Sequence, residues 1–211
     1  MLDQDLRNGL LIPDRTGRQI QYRYLSPGDD LEAITTMLHE AYARLAEAGM
    51  RFFASHQDKS ATQRRVSRGE TIVALDGDRI VGIVTLADAA ATCGTPFYDR
   101  PNVASFGQFA VHPIHQGLGI GSRLLEMVEA RASEKGLREL ALDTSERATE
   151  LIAMYRAKGF RFIEYAQWKD TNYRSVILAK RVSQLTTQHC AAPAAAGATS
   201  VAHGRPGEGP T

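Results

Sequence analysis

HPIHQGLGIGSRLLEMVEARA, from His112 to Ala132, sets glycines at 117, 119 and 121 and then passes at once into apolar residues at helical spacing, Ile120, Leu124, Met127 and Val128. Upstream, SFGQFAVHP (105–113) reads as a strand stopped by Pro113. Alternate glycines strip side chains from the turn between them, so backbone N–H groups can converge on one point and a bulky anion can come close. The following helix adds its own open N–H groups and the positive end of its dipole. Such a unit can cradle a phosphate, although a glycine-rich connection can also simply turn a corner. The G-x-G-x-G spacing is not the G-x-G-x-x-G of a dinucleotide fold, and no Gly-Lys-Ser/Thr follows as a P-loop requires.

Working outward, QIQYRYL (19–25) alternates as a strand, and residues 26–49 supply a turn, an acidic cap region and a helix. That helix carries Leu31, Ile34, Leu38, Tyr42 and Leu45 on one face and ends at Gly49. Residues 57–69 read as a second, polar helix. TIVALDGDRIVGIVTLA (71–87) gives two strands about Asp76-Gly77-Asp78, a strong hairpin signal. After the glycine unit come ELALDT (139–144) as a strand, ERATELIAMYRAKG (146–159) as a helix, and FRFIEYAQW and YRSVILAK as strands. The order βααβββαβαββ predicts an α/β fold, a mixed sheet with helices on its faces in one domain. The domain spans 19–182, with an N-terminal extension (1–18) and a flexible Ala/Gly/Pro-rich tail (183–211) that has little to bury.

The 211 residues are 43% hydrophobic and 23% charged, enough for one core, and the net charge of +1 offers no electrostatic case for nucleic acid or a membrane surface. Cys93 and Cys190 lie far apart and form no zinc-ligand spacing or disulfide framework, so no metal is expected. The start MLDQDLRNGL lacks the features of a signal peptide, and no apolar run approaches a bilayer span, which predicts a cytoplasmic protein.

FAVHPIHQGLGIGSRLL resembles the acyl-CoA-binding motif of the GNAT superfamily of N-acetyltransferases: Gln116, Gly119 and Gly121 match its core, preceded by an apolar strand and Val-x-Pro. ATELIAMYRAKGFRFI resembles the second signature of that superfamily, a helix carrying Tyr155 four residues before Gly-Phe. The resemblance covers roughly residues 20–180. It implies a GNAT-like domain with a splayed central strand pair that holds acetyl-CoA, and an enzyme that moves an acetyl group to a primary amine through a tetrahedral intermediate. The pyrophosphate would lie on the backbone of Gln116, Gly117, Leu118, Gly119, Ile120, Gly121 and Ser122, with Arg123 as a nearby charge. Phe109, Ala110 and Val111 would pair with the pantetheine arm, and an amide there would stabilise the oxyanion.

An alkyl ammonium, with a pKa near ~10.4, must lose a proton before it attacks, and the departing thiolate needs one. The resemblance gives the acid role to Tyr155. Relatives with a carboxylate on the motif strand have their base there, but this chain offers Gln108. Glu40 is the leading substitute, with Asp88 and His112 as others. Residues 48–57, with Met50, Phe52 and Phe53, and the long 88–101 connection are candidate walls for the acceptor, and Trp168 and Tyr173 are candidates to extend them. The expected acceptor is a small amine, with a protein amine or a non-catalytic acyl-CoA sensor as alternatives. A homodimer is common in such families.

Overall fold

The computed structural model describes residues 1–183, and the expected tail from 184 onward lies outside the described residues. Five helices and eight strands alternate as α1 (Leu2–Asn8), β1 (Leu10–Pro13), β2 (Gln19–Tyr24), α2 (Leu31–Glu47), α3 (Lys59–Val66), β3 (Gly69–Asp76), β4 (Arg79–Ala87) and β5 (Val103–Val111). The chain continues through α4 (Ile120–Glu134), β6 (Glu139–Ser145), α5 (Thr149–Ala157), β7 (Arg161–Ala166) and β8 (Ser175–Arg181). From β2 onward this is the order read from the sequence.

The eight strands form one sheet in the order β1-β2-β3-β4-β5-β6-β8-β7. Every pairing is antiparallel except β5 with β6, which α4 joins as a crossover. Strand β3 shows how the two faces are filled. Ile72 and Ala74 pack with Ile120, Leu124 and Val128 of α4, while Val73 and Leu75 pack with Ile34 and Leu38 of α2 and Val66 of α3. Local chemistry fixes the helix starts: the Asp30 carboxylate accepts from the amides of Glu32 and Ala33, and the Asp58 carboxylate accepts from Ala61.

Residues 1–18, read as an extension, add an eighth strand and a helix to the domain. Leu6 of α1 is fully buried in the main core, a burial worth roughly 2 kcal/mol. Arg131 of α4 ties α1 down by pairing with Asp3, and it also pairs with Glu70 and Glu134. Strand β1 escaped the sequence reading because four residues, LLIP, on an edge give too short a pattern.

Two irregularities in β5 prepare the site. Its ladder with β6 holds only from Val103–Ser105 against Glu139–Ala141, so the two strands part beyond those three pairs. Its ladder with β4 shifts register between Ile83 and Thr85, leaving Gln108 and Phe109 together opposite Val84. At this bulge Gln108 takes φ +49°, a left-handed backbone that costs a non-glycine residue on the order of 1 kcal/mol.

Candidate active site

Where β5 and β6 part, two cavities meet. One, of about 360 Å³, runs over the glycine turn, and the other, of about 410 Å³, opens between β5, β6 and the long connections. Tyr42, Phe109, Leu151 and Tyr155 border both.

The first cavity is bordered by Phe109, Ala110 and Val111, by Gln116, Gly117 and Gly119, and by Gly121 and Ser122 at the start of α4. Gly117 and Gly119 have φ +77° and +93°, a conformation glycine reaches without strain. No side chain caps α4, so its first-turn amides stay open to an anion. Leu118 and Ile120, expected to join them, do not border the cavity; Ile120 turns into the core. The cations are not the expected one either. Arg123 pairs with Glu126 at the surface, whereas Arg15, from the β1–β2 turn, and Lys158, from the end of α5, border the cavity. Arg15 Nη1 donates to the Gly117 carbonyl at 3.0 Å, and Lys158 Nζ donates to Ser122 Oγ at 3.0 Å. Sequence spacing carries no sign that Arg15, more than 100 residues upstream, reaches this turn.

Beyond the bulge, His112 donates its amide to Val81 of β4, so strand alternation turns the Phe109 and Val111 backbones towards the open edge. Tyr42 Oη donates to the Phe109 carbonyl at 3.1 Å and Gln116 Nε2 donates to the Val111 carbonyl at 3.0 Å, both from that open side. An extended ligand with amide groups can pair there as an added strand.

Tyr155 stands at the junction of the cavities, packed edge-on against Phe106 and Phe160. Burial pushes its phenol well above the ordinary tyrosine value, and its hydroxyl finds no hydrogen-bond partner among the described residues. The group is thus held protonated and free to donate.

Glu40 borders neither cavity. Its half-exposed carboxylate lies 3.0 Å from His112 Nε2, so this pair forms a contact away from the junction. Asp88 bonds Lys135 at the surface. The structure brings two carboxylates to the second cavity, Asp170 and Asp143, the latter the one exposed residue of β6, because it meets the solvent of the cavity while the protein closes around it. Asp143 Oδ2 accepts from Trp168 Nε1 at 2.9 Å and from Ser175 Oγ at 3.2 Å, which orients the carboxylate. Burial raises its pKa above the ordinary carboxylate value, against the pull of those two donors and of Arg65 and Arg68. An acid following the apolar run Leu140-Ala141-Leu142 was the sequence signal for it.

The other walls are the expected segments. Phe52 and Phe53 come from the 48–57 connection, Thr92, Cys93 and Tyr98 from 88–101, and Trp168 and Tyr173 from the last hairpin. Among the described residues no group of His, Cys, Asp and Glu is arranged to hold a metal, and no helix is long and apolar enough to cross a membrane.

The family model described as acetyltransferase (GNAT) family matches residues 32–160. No relative among curated proteins matches the chain. Among solved structures, the GNAT domain of S. lividans PAT is 22% identical with a TM-score of 0.62, covering 82% of this chain and 96% of that one. The ribosomal-protein-S18-alanine N-acetyltransferase from Escherichia coli is 17% identical with a TM-score of 0.59, covering 80% and 97%. A GNAT family acetyltransferase from Elizabethkingia anophelis, with acetyl-CoA bound, is 18% identical with a TM-score of 0.55, covering 77% and 97%. At these identities the likeness is one of fold.

Proposed function

The chain belongs to the GNAT family of acetyltransferases, and from that premise we propose that it transfers the acetyl group of acetyl-CoA to a primary amine of a small molecule in the cytoplasm. The observation that carries this reading is the meeting of two cavities at Tyr155, one floored by open backbone amides and the other by a carboxylate. The first suits the pyrophosphate and pantetheine of acetyl-CoA: amides of the glycine turn with Arg15 and Lys158 for the phosphates, and the open edge of β5 for the arm. The second, at about 410 Å³, has the size of a small-molecule site.

In this reading Asp143 removes the proton of the bound ammonium, and the freed amine attacks the thioester carbon. A backbone amide on the open edge of β5 donates to the oxygen as it becomes negative. The carbon–sulfur bond breaks as Tyr155 gives its proton to the departing sulfur, the attacking nitrogen returns its second proton to the tyrosinate so formed, and the N-acetyl product leaves. The raised pKa of Asp143 supports its part, since a base works best when its pKa lies nearer the working pH.

Calorimetric titration with acetyl-CoA and with desulfo-CoA, followed by CoA release over a panel of small amines, tests the proposal. Saturable binding of both cofactors and release that depends on an added amine are expected. Failure of both cofactors to bind, or an absence of amine-dependent release, would overturn it.

A further inference from the structure

The second cavity holds two guanidinium groups for which no mechanism step above has a use. Arg65, in the last turn of α3, donates through Nη1 to Gln57 Oε1 at 2.9 Å and lies over the Phe53 ring at 5.5 Å. Arg68 bonds the Ala91 carbonyl. Among the described residues neither has a carboxylate within ion-pair distance, whereas the packed Arg23 and Arg131 do. Arg65 is packed in while Arg68 stands exposed at the cavity's edge, and an enclosed cation without a counter-charge is costly, so a site that tolerates one is suited to an anion.

The geometry points the same way. Arg65 reaches β5 where Gly107 offers no side chain, since a Cβ there would lie 3.9 Å from Arg65 Nη2. The next residue, Gln108, is 3% exposed, borders the cavity, and leaves both its Oε1 and its Nε2 without a partner. Thr144 Oγ1 and Tyr98 Oη, also on the cavity wall, are buried and unpaired as well. Buried polar groups are rarely left so, and several around one cavity mark the place of a polar ligand. The carboxylates facing this space are Asp143 and Asp170. The cavity therefore offers both signs of charge with no ion pair between them.

We propose that the acceptor is a primary amine that also bears an anionic group, a carboxylate, phosphonate or phosphate, bound by Arg65 and Arg68 beside Gln108 while Asp143 receives the ammonium. This rests on the acetyltransferase reading and names its substrate class. A charge-assisted, two-pronged contact from arginine gives such an acceptor both affinity and register relative to the thioester.

The test compares kcat/KM for matched acceptors: α- and ω-amino acids, their amides, the corresponding decarboxylated amines and an aminophosphonate. The anionic acceptors are expected to exceed their neutral counterparts by at least about tenfold, and Arg65→Met and Arg68→Met each to shrink that ratio, with Arg65→Lys restoring part of it. The dissociation constant for acetyl-CoA reports whether each variant is folded. Equal or better use of the neutral amines, or a ratio untouched in both methionine variants, would overturn the inference and leave the acetyltransferase reading standing. Transfer to lysine-bearing peptides alone would overturn the small-molecule class, and failure to bind acetyl-CoA would remove the premise itself.

Discussion

Arg15 Nη1 donates to the Gly117 carbonyl across 102 positions of chain, and the Arg15 amide donates to the Leu118 carbonyl at 3.0 Å. The first hairpin and the glycine turn are thereby one structural unit, with a guanidinium laid along the cavity that suits a pyrophosphate. Arg15→Ala is expected to weaken acetyl-CoA binding about tenfold, and the deficit should shrink as salt is raised. Gly119→Val, forced into φ +93° with its side chain against Arg15, should weaken it comparably. Titration calorimetry at two ionic strengths checks both.

Tyr155→Phe keeps the ring contacts with Phe106 and Phe160 and removes only the hydroxyl. Turnover is expected to fall about 100-fold with the acetyl-CoA dissociation constant unchanged. Steady-state kinetics with a saturating acceptor decides it; full turnover in the variant would take the acid role from this residue.

The Asp143 carboxylate must be ionised to accept a proton, and its pKa lies above the ordinary carboxylate value. Activity of the native protein should therefore fall on acidification at a pH higher than ~4, the range of an exposed carboxylate. Asp143→Asn should lose turnover and that acidic limb together. Because the native state favours the protonated form of this group, its ionisation costs stability as pH rises through the raised pKa, so the asparagine variant should melt no lower than the native protein at neutral pH. A pH–rate profile beside thermal unfolding measures the two effects.

Arg131 is 8% exposed and pairs with Asp3, Glu70 and Glu134, joining α1, β3 and α4. Burial alone would raise the Glu70 and Glu134 carboxyls, yet bonds from Arg131, joined by Lys135 at Glu70 and by the N-terminal amine and the Leu2 amide at Glu134, together outweigh it and hold both below their ordinary value. Arg131→Met should cost about 3 kcal/mol, read from denaturant unfolding at neutral pH. The stabilisation from these carboxylates is present above their unfolded pKa and lost as pH falls through the lowered one, so the difference between variant and native protein should narrow in acid.

The sequence made the sheet legible because Ile72, Val73, Ala74 and Leu75 form a short apolar run, as a strand buried on both faces requires, and the Asp76-Gly77-Asp78 turn fixes a hairpin. It made the glycine turn and Tyr155 legible because they are local patterns, each complete within a few residues. What it concealed is long-range. Arg15 reaches the glycine turn only once β1 and β2 pair, and Arg65, one of many charges on a polar helix, is singled out only by the cavity in front of it. Glu40 looked suitable as a base because its distance from the junction depends on the packing of α2, which spacing along the helix does not reveal.

The bulge at Gln108 carries one more consequence. Thr85 faces Gly107 and Ile83 faces Ala110, so Gln108 is a supernumerary residue, and the strand pairs with β4 on both sides of it in registers one residue apart. Its side chain meets the second cavity, the proposed acceptor site, without being answerable to the ladder. A position so uncoupled from the scaffold can change identity while the donor half of the enzyme stays intact, which makes it a natural point for a lineage, or an engineer, to retarget the protein from one amine to another.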